Sequence, residues 1–361
     1  MNKQQKWTQL LELLDRPAFL VRNGTITQLN IHAQTRLLSV GMEITPLIAT
    51  GLEEYQALGD DSLCLTLQLC GEAWGACVRS VDEGVHLFLL DEQEDGNALR
   101  LLALAAMQLR APLADALATS TQLLPGIRPE SVAARKEAAK MNKSLYELHR
   151  IVCNMADAQE FLSGTVIRWE NTDLKYFFCE LSEKAEAVTV DLGVTITFHA
   201  PDHSVVACVD REKLERAFHN LLSNALRFTP RGGMIEISLA ATGKQAILRI
   251  RDSGEGLDRE VQKTLFERFR RSPTIEDGRY GIGLGLLVVR RTAALHGGAL
   301  LIGPAPDGGT QAALSLALRS EPPAGFRSPR LPVDYTGELD HTLVELSREL
   351  PSTVFESLNL L

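Results

Sequence analysis

No apolar run in the 361 residues approaches the roughly 18–20 positions that a membrane-spanning helix needs. The N-terminus, MNKQQKWTQLLELLDRP, lacks a long apolar core and a small-residue cleavage site, so it does not read as a secretion signal. These two absences predict a cytoplasmic chain with no membrane contact. The six cysteines, at 64, 70, 77, 153, 179 and 208, include no CxxC pair, which argues against a metal site and for reduced thiols. Cys64 and Cys70 share a strand face by parity and read as buried structural thiols. Positive charge is in deficit, 37 basic against 46 acidic residues, and the net charge of −9 argues against a nucleic-acid surface.

What the chain does have is length, enough for two or three domains at roughly 100–200 residues each. Four segments follow from the pattern. In residues 1–95 a helical opening at Leu10, Leu13 and Leu14 gives way to PAFLV, an Asn23-Gly24 turn and TITQLN, which is a strong hairpin signal. Further strands are predicted at Leu63–Leu69 and Val85–Leu90, so this is a small α+β module. Residues 96–163 are helical: Leu99, Leu102, Ala106, Leu109, Leu113 and Ala116 form one apolar stripe, and Ala138, Met141, Leu145, Leu148, Val152 and Met155 form a second. Pro125-Gly126 and Pro129 separate them, and two such hairpins would share a four-helix core, which predicts a homodimer through 96–163.

Residues 164–319 alternate strands (Val194–Phe198, Met234–Ala240, Ala246–Arg251, Ala299–Ile302, Gln311–Leu316) with helices near 174–190, 210–227, 258–267 and 284–296. A mixed sheet covered by helices is expected. Residues 320–361 begin with a proline-rich linker and end in a helical pattern at Leu339, Leu343, Leu346 and Leu350, able to pack on the body or on a partner.

The chemistry concentrates in the third segment. HNLLSNALRFTPRGG (219–233) sets Asn220, Asn224 and Arg227 at i, i+4, i+7, so three polar groups share a helix face while Leu221, Leu222 and Leu226 turn inward. Such a face can hold a metal and phosphates. RDSGEGLD (251–258) ends a strand on an acid, and Gly254 and Gly256 permit a sharp turn there; Asp252 can then accept a hydrogen bond from an amino-bearing base. After LFERFRR (265–271), the run GIGLGLLVVRR (281–291) opens a helix at Gly281, Gly283 and Gly285, around Leu284 and Leu286, whose free N–H groups suit phosphate oxygens.

In this order the four motifs resemble the N, G1, F and G2 boxes of the histidine-kinase ATPase domain, the Bergerat α/β sandwich shared with gyrase and Hsp90. The resemblance implies ATP and Mg²⁺ as ligands. It makes Asn224 the metal ligand with Asn220 beside it, and Asp252 the adenine contact. It places Arg227 near the phosphates and Phe228 where an aromatic packs by the nucleotide. Among the arginines of the intervening loop, which can neutralise phosphates or simply be solvated, Arg271 fits the end of the F box. His219 and His296 read as parts of the domain's framework. DRPAFLVRNGTITQLNIHA, at the N-terminal end, resembles the start of a PAS domain.

Upstream of the ATPase domain this family carries a phosphotransfer hairpin with the motif Ser-His-Glu-Leu-Arg-Thr-Pro-Leu. The corresponding residues here are Ala106, Met107, Gln108, Leu109, Arg110, Ala111, Pro112 and Leu113. Met107 stands at the phosphoacceptor position, and a thioether forms no stable phosphoryl adduct. Gln108 replaces the acid that serves as general base, and Ala111 replaces the threonine. No other histidine lies between 98 and 125; His149 on the second helix is either an alternative acceptor or structural. The fold class is therefore α+β multidomain. The function expected is a dimeric histidine-kinase-like signalling protein of a two-component system that binds Mg-ATP without phosphorylating itself at the usual site. A response regulator or another histidine kinase would be its partner. A kinase acting on a partner in trans and a scaffold with a vestigial ATP site are the alternatives.

Overall fold

The structure is a computed structural model, which describes residues 3–14, 16–59, 61–90, 105–106, 108–109, 112–120, 132–163, 167–256, 284–319 and 339–355. Helix α1 (Lys3–Glu12) leads into the hairpin β1 (Ala18–Arg22) and β2 (Thr25–Leu29). Its two-residue loop puts Asn23 and Gly24 at φ of 51° and 77°, as a turn matching the right-handed strand twist requires. The buried Asn30 side chain fastens this corner, donating to the carbonyls of Leu11, Leu14 and Arg16 and accepting from the N–H groups of Ala18 and Ala33.

Short elements α2 (Ile31–Gln34), β3 (Ile48–Thr50) and α3 (Leu52–Gln56) follow, then the meander β4 (Ser62–Leu69), β5 (Glu72–Asp82) and β6 (Val85–Leu90). The sequence pattern did not announce β5, whose run EAWGACVRSVD breaks clean alternation at Gly75 and in the half-buried stretch from Arg79 onward. Strand β4 ends at Leu69. Cys70 lies in the turn beyond it, exposed and at φ 53°, so it does not share a face with Cys64 as parity suggested. The buried Cys64 instead lies opposite Cys77 on β5, with the two Sγ atoms 3.2 Å apart.

Residues 112–120 are helical, and α4 (Val132–Ser163) is the long helix of the chain. The two apolar stripes are buried in part within one chain: Ala106, Leu113, Val152 and Met155 are buried, and Leu99 and Leu102 lie outside the described residues. Leu109, Met141 and Leu148 are 50%, 48% and 51% exposed, whereas Ala139, Asn142, Tyr146, His149, Arg150 and Cys153 face inward. The buried side of α4 is rotated because polar residues take part in it, and a stripe drawn from apolar residues alone misses them. His149 is among the buried residues, so α4 does not present its ring to solvent.

The remaining elements are β7 (Glu170–Asp173), α5 (Leu174–Thr189), β8 (Thr195–His199), β9 (Val206–Val209), α6 (Arg211–Phe228), β10 (Met234–Thr242) and β11 (Gln245–Asp252). After them come α7 (Leu284–Leu295), β12 (Leu300–Pro304), β13 (Thr310–Ala317) and α8 (His341–Leu346), ending in a 3-10 turn at Ser352–Phe355. The helix expected at 258–267 lies outside the described residues. Strands pair in the order β2-β1-β6-β5-β4-β12-β13-β11-β10-β8, with β3 added on β4, and β7 pairs separately with β9. Among the described strands only β8 and β10 run parallel. The sheet crosses from the N-terminal module to the C-terminal half of the chain at β4 and β12, through Cys64 opposite Leu300, Leu63 opposite Leu301 and Ser62 opposite Ile302. Helices α5 and α6 bury Phe177, Phe178, Leu181, Leu214, Phe218 and Leu222 in one cluster with the inward residues of β10, β11 and β13. Among the described residues no helix is long and apolar enough to cross a membrane.

Candidate functional site

Helix α6 begins at the buried Asp210, whose Oδ1 accepts from the Lys213 N–H at 3.1 Å. The same residue's backbone N–H donates to His296 Nε2 at 2.9 Å, and His296 Nδ1 pairs with the Thr292 carbonyl at 2.8 Å. With one ring nitrogen accepting, His296 is a neutral imidazole used as a framework link, and burial holds its pKa below the ordinary value. His219 is wholly buried, and burial likewise depresses its pKa.

The apolar residues of α6 enter the core, and this fixes where its polar ones lie. Asn220 is buried, donates through Nδ2 to the Arg216 carbonyl at 2.9 Å, and turns Oδ1 toward Gly285 at the start of α7. A Cβ at Gly285 would collide with that oxygen, so the two helices approach this closely only because the position is glycine. Asn224 is half-buried one turn further on, followed by Arg227 and the exposed Phe228.

Strand β11 alternates strictly: Ala246, Leu248 and Ile250 face inward, and Asp252 takes the next inward place. A carboxyl thus stands at the end of the core. Its Oδ1 accepts from the N–H groups of Gly254 at 2.9 Å and Thr310 at 3.1 Å. Burial pushes its pKa up, and these hydrogen bonds oppose the rise. Gly254 packs under the Phe228 carbonyl, where a Cβ would overlap the backbone, and Gly256 lies against the backbone of Gly309. The end of β11, the C-terminal half of α6 and the start of α7 therefore converge on one place.

Of the residues singled out in the sequence, these contacts join Asn220 to Gly285, and Asp252 to Gly254, which packs under Phe228. Leu286 is half-buried and packs against the core, and Leu284 lies in the first turn of α7. Arg271, Gly281, Gly283 and Met107 lie outside the described residues; Gln108 is helical and exposed. Arg227 does not stand open: Nη2 and Nε donate to Glu349 Oε1 at 2.9 and 3.2 Å. Sequence reasoning missed Glu349 and its neighbour Glu345. The signal available was an i, i+4 pair of acids on the apolar helical pattern of the tail, with nothing to say which arginines they meet.

The donors fit a hard cation. Asn220 and Asn224 offer neutral side-chain oxygens one turn apart, and the Nδ2 bond of Asn220 directs its oxygen away from its own helix. Among the described residues no group of three His, Cys, Asp or Glu side chains is placed to hold a metal by itself. A cation here would need oxygens from phosphate and water.

Residues 209–320 match the model of the histidine kinase-, DNA gyrase B- and HSP90-like ATPases. Three relatives are similar over longer stretches. The sensor histidine kinase TmoS of Ectopseudomonas mendocina is 33% identical over 156 residues, covering 43% of this chain and 16% of TmoS. The sensor protein kinase PmrB of Pseudomonas aeruginosa is 31% identical over 218 residues, covering 58% of this chain and 43% of PmrB. The adaptive-response sensory kinase SasA of Synechococcus is 32% identical over 223 residues, covering 58% of this chain and 54% of SasA. Among solved structures, full-length ShkA in complex with AMPPNP is 21% identical, covers 62% of this chain and 47% of that one, and superposes with a TM-score of 0.49. The site defined by α6, β11 and α7 is thus that of an ATPase domain of the histidine-kinase type. Residues 209–320 carry this domain, and the chain spans 16% to 54% of the length of the three relatives named.

Proposed function

We propose that this protein is a Mg-ATP-binding member of a two-component system that does not phosphorylate itself at the family's usual position. The observation that carries the nucleotide reading is the close approach of two elements to α6 at glycine positions: the turn after Asp252 at Gly254, against Phe228, and the start of α7 at Gly285, against Asn220. Asn224, with Asn220, would hold the magnesium ion, which supplies charge neutralisation for the phosphates. Asp252 is buried with one oxygen fixed by two N–H donors, so its position is set before a base amino group arrives. Residues 281–286 would meet the phosphates with backbone N–H groups, and Arg227 with its guanidinium.

The sequence supports the loss of self-phosphorylation. Met107 offers no nucleophile of the required kind, and Gln108 offers no base. The buried His149 does not replace them. The segments 1–95, 96–163, 164–319 and 320–361 would serve as a PAS-like sensor, a dimerising hairpin, the ATPase domain, and a linker with a packing tail. The exposed Leu109, Met141 and Leu148 support a second copy covering the hairpin. A response regulator or another histidine kinase is the partner class that this reading implies.

Titration calorimetry with Mg-ATP should show one site per chain, lost in Asn224→Ala and Asp252→Asn proteins that unfold like the parent. Absence of binding by the parent would sink the reading. Incubation with γ-labelled ATP should leave the chain unlabelled, and acid-labile label on it would show that an acceptor persists. Light scattering should give twice the chain mass.

A further inference from the structure

The C-terminal segment supplies carboxylates to cations that border the nucleotide site. Asp340 caps α8 by accepting from the Leu343 N–H at 2.8 Å, and Leu343, Val344, Leu346, Leu350 and Phe355 are buried. The segment is fastened to α4: Phe355 packs on Tyr146 with ring centroids 5.1 Å apart, and Lys143 Nζ donates to the carbonyls of Leu350 at 2.7 Å and Arg348 at 3.3 Å. It is fastened equally to α6. Glu345, fully buried, lies 3.4 Å from Arg216 Nε and 3.4 Å from Arg150 Nε. Glu349 holds Arg227 through Oε1 and lies 3.5 Å from Arg150 Nη1 through Oε2. Arg150 comes from α4 and also donates to Ser223 of α6 at 3.0 Å.

Helical geometry connects this network to the site. Residues 216, 220, 223 and 227 fall on one stripe of α6, with Asn224 at its edge. Arg150, Glu345 and Glu349 meet 216, 223 and 227 along one side of that stripe, while Asn220 turns its oxygen toward α7. Arg227 therefore stands where the two surfaces meet. A guanidinium that gives Nε and Nη2 to one carboxylate oxygen cannot direct the same two donors at a phosphate.

We propose that residues 339–355 form an intramolecular strap in which Glu349 takes the place of a nucleotide phosphate on Arg227, so that Mg-ATP binding and attachment of the strap to α4 and α6 oppose one another. The proposal rests on the nucleotide reading given above. Coupling of this kind is reciprocal: what weakens the strap tightens the nucleotide, and the nucleotide loosens the strap.

The test uses the full chain and Glu349→Gln, which keeps the shape and removes the charge. Glu349→Gln should bind Mg-ATP about fivefold more tightly or better, the lower end of ordinary site-to-site coupling. In the unaltered protein, saturating Mg-ATP should speed hydrogen exchange at amides 341–355, a measurement that does not depend on how well the variant folds. Measurable but equal affinity in the two proteins, or exchange at 341–355 that the nucleotide leaves unchanged, overturns the strap and leaves the nucleotide site standing. No binding by either protein overturns both.

Discussion

Two of the seams that join residues 167–319 to the rest of the described molecule are built from opposite materials. At β4 and β12 three residue pairs meet through backbone ladder bonds, with Leu63, Cys64 and Leu300 buried around them. At the C-terminal strap, α4 and α6 meet through Glu345 and Glu349 with Arg150, Arg216 and Arg227. The first seam loses stability in small steps, since each methylene contributes its own share of burial. The second is closer to all or none, because removing one member takes a charge partner from several buried groups at once. A seam of the second kind holds a unique geometry and can let go as a unit.

The sharpest way to break this contrast is Glu345→Ala. It leaves Arg150 and Arg216 without the fully buried carboxylate between them, and should cost about 3–5 kcal/mol in urea unfolding. A loss under about 1 kcal/mol, the range of exposed pairs, would mean that water already screens the network.

Next in size is Gly254→Ala. Its Cβ would overlap the Phe228 carbonyl, and backbone at a helix end cannot swing aside as a flexible side chain can. Overpacking should cost about 1–3 kcal/mol. Because the shift falls between Asp252 and the end of α6, Mg-ATP binding should weaken with it. Undiminished nucleotide affinity would detach the site from this contact.

Acidification should bear on the strap seam through His219 and on the start of α6 through His296. His219 is buried and its pKa is depressed by desolvation; Glu215 and Glu345 face it and pull the other way, while His341 adds to the depression. His296 is depressed by burial too, with Asp210 raising it, and Lys213 and Arg319 lowering it. A histidine held neutral in the fold takes up a proton near pH 6.5 once unfolded. Below that pH the unfolded chain binds more protons, so stability is complete above about 6.5 and falls as the pH is lowered through the range beneath it. Unfolding curves between pH 7.5 and 5 should show the decline, and His219→Gln should flatten it. A profile unchanged by that substitution would move the effect to other groups.

The sequence made one seam's surroundings legible and hid the other. Strands β10 and β11 were readable because alternation writes burial directly into residue type, and Asp252 was found because it ends such a run. Asn220 and Asn224 were found because their spacing repeats a helix turn. The strap was hidden because its specificity lies in pairs more than 65 positions apart, such as Arg150 with Glu345 and Arg227 with Glu349, and periodicity carries no information about partners. The buried side of α4 was incompletely drawn for a related reason: an apolar stripe leaves out Asn142 and Arg150, whose burial depends on Ser120, Phe355, Ser223 and the strap glutamates around them. Cys64 was paired with the wrong cysteine because parity holds only while the strand lasts, and β4 stops one residue before Cys70.

The smallest expected effect tests the sheet seam itself. Ile302 lies opposite Ser62 at the last of the three pairs, and its side chain is buried. Ile302→Val removes one methylene without touching the ladder bonds, which belong to the backbone. The expected loss is about 0.5–1.5 kcal/mol, and nucleotide affinity should stay at the parent value. A loss of 3 kcal/mol or more from this one group would mean that the sheet seam, like the strap, opens as a unit, and the distinction between the two would fall. A loss in the expected range, set beside a several-fold larger one for Glu345→Ala, would locate the cooperative joint of the molecule at the strap, on the helix that also carries Asn220 and Asn224.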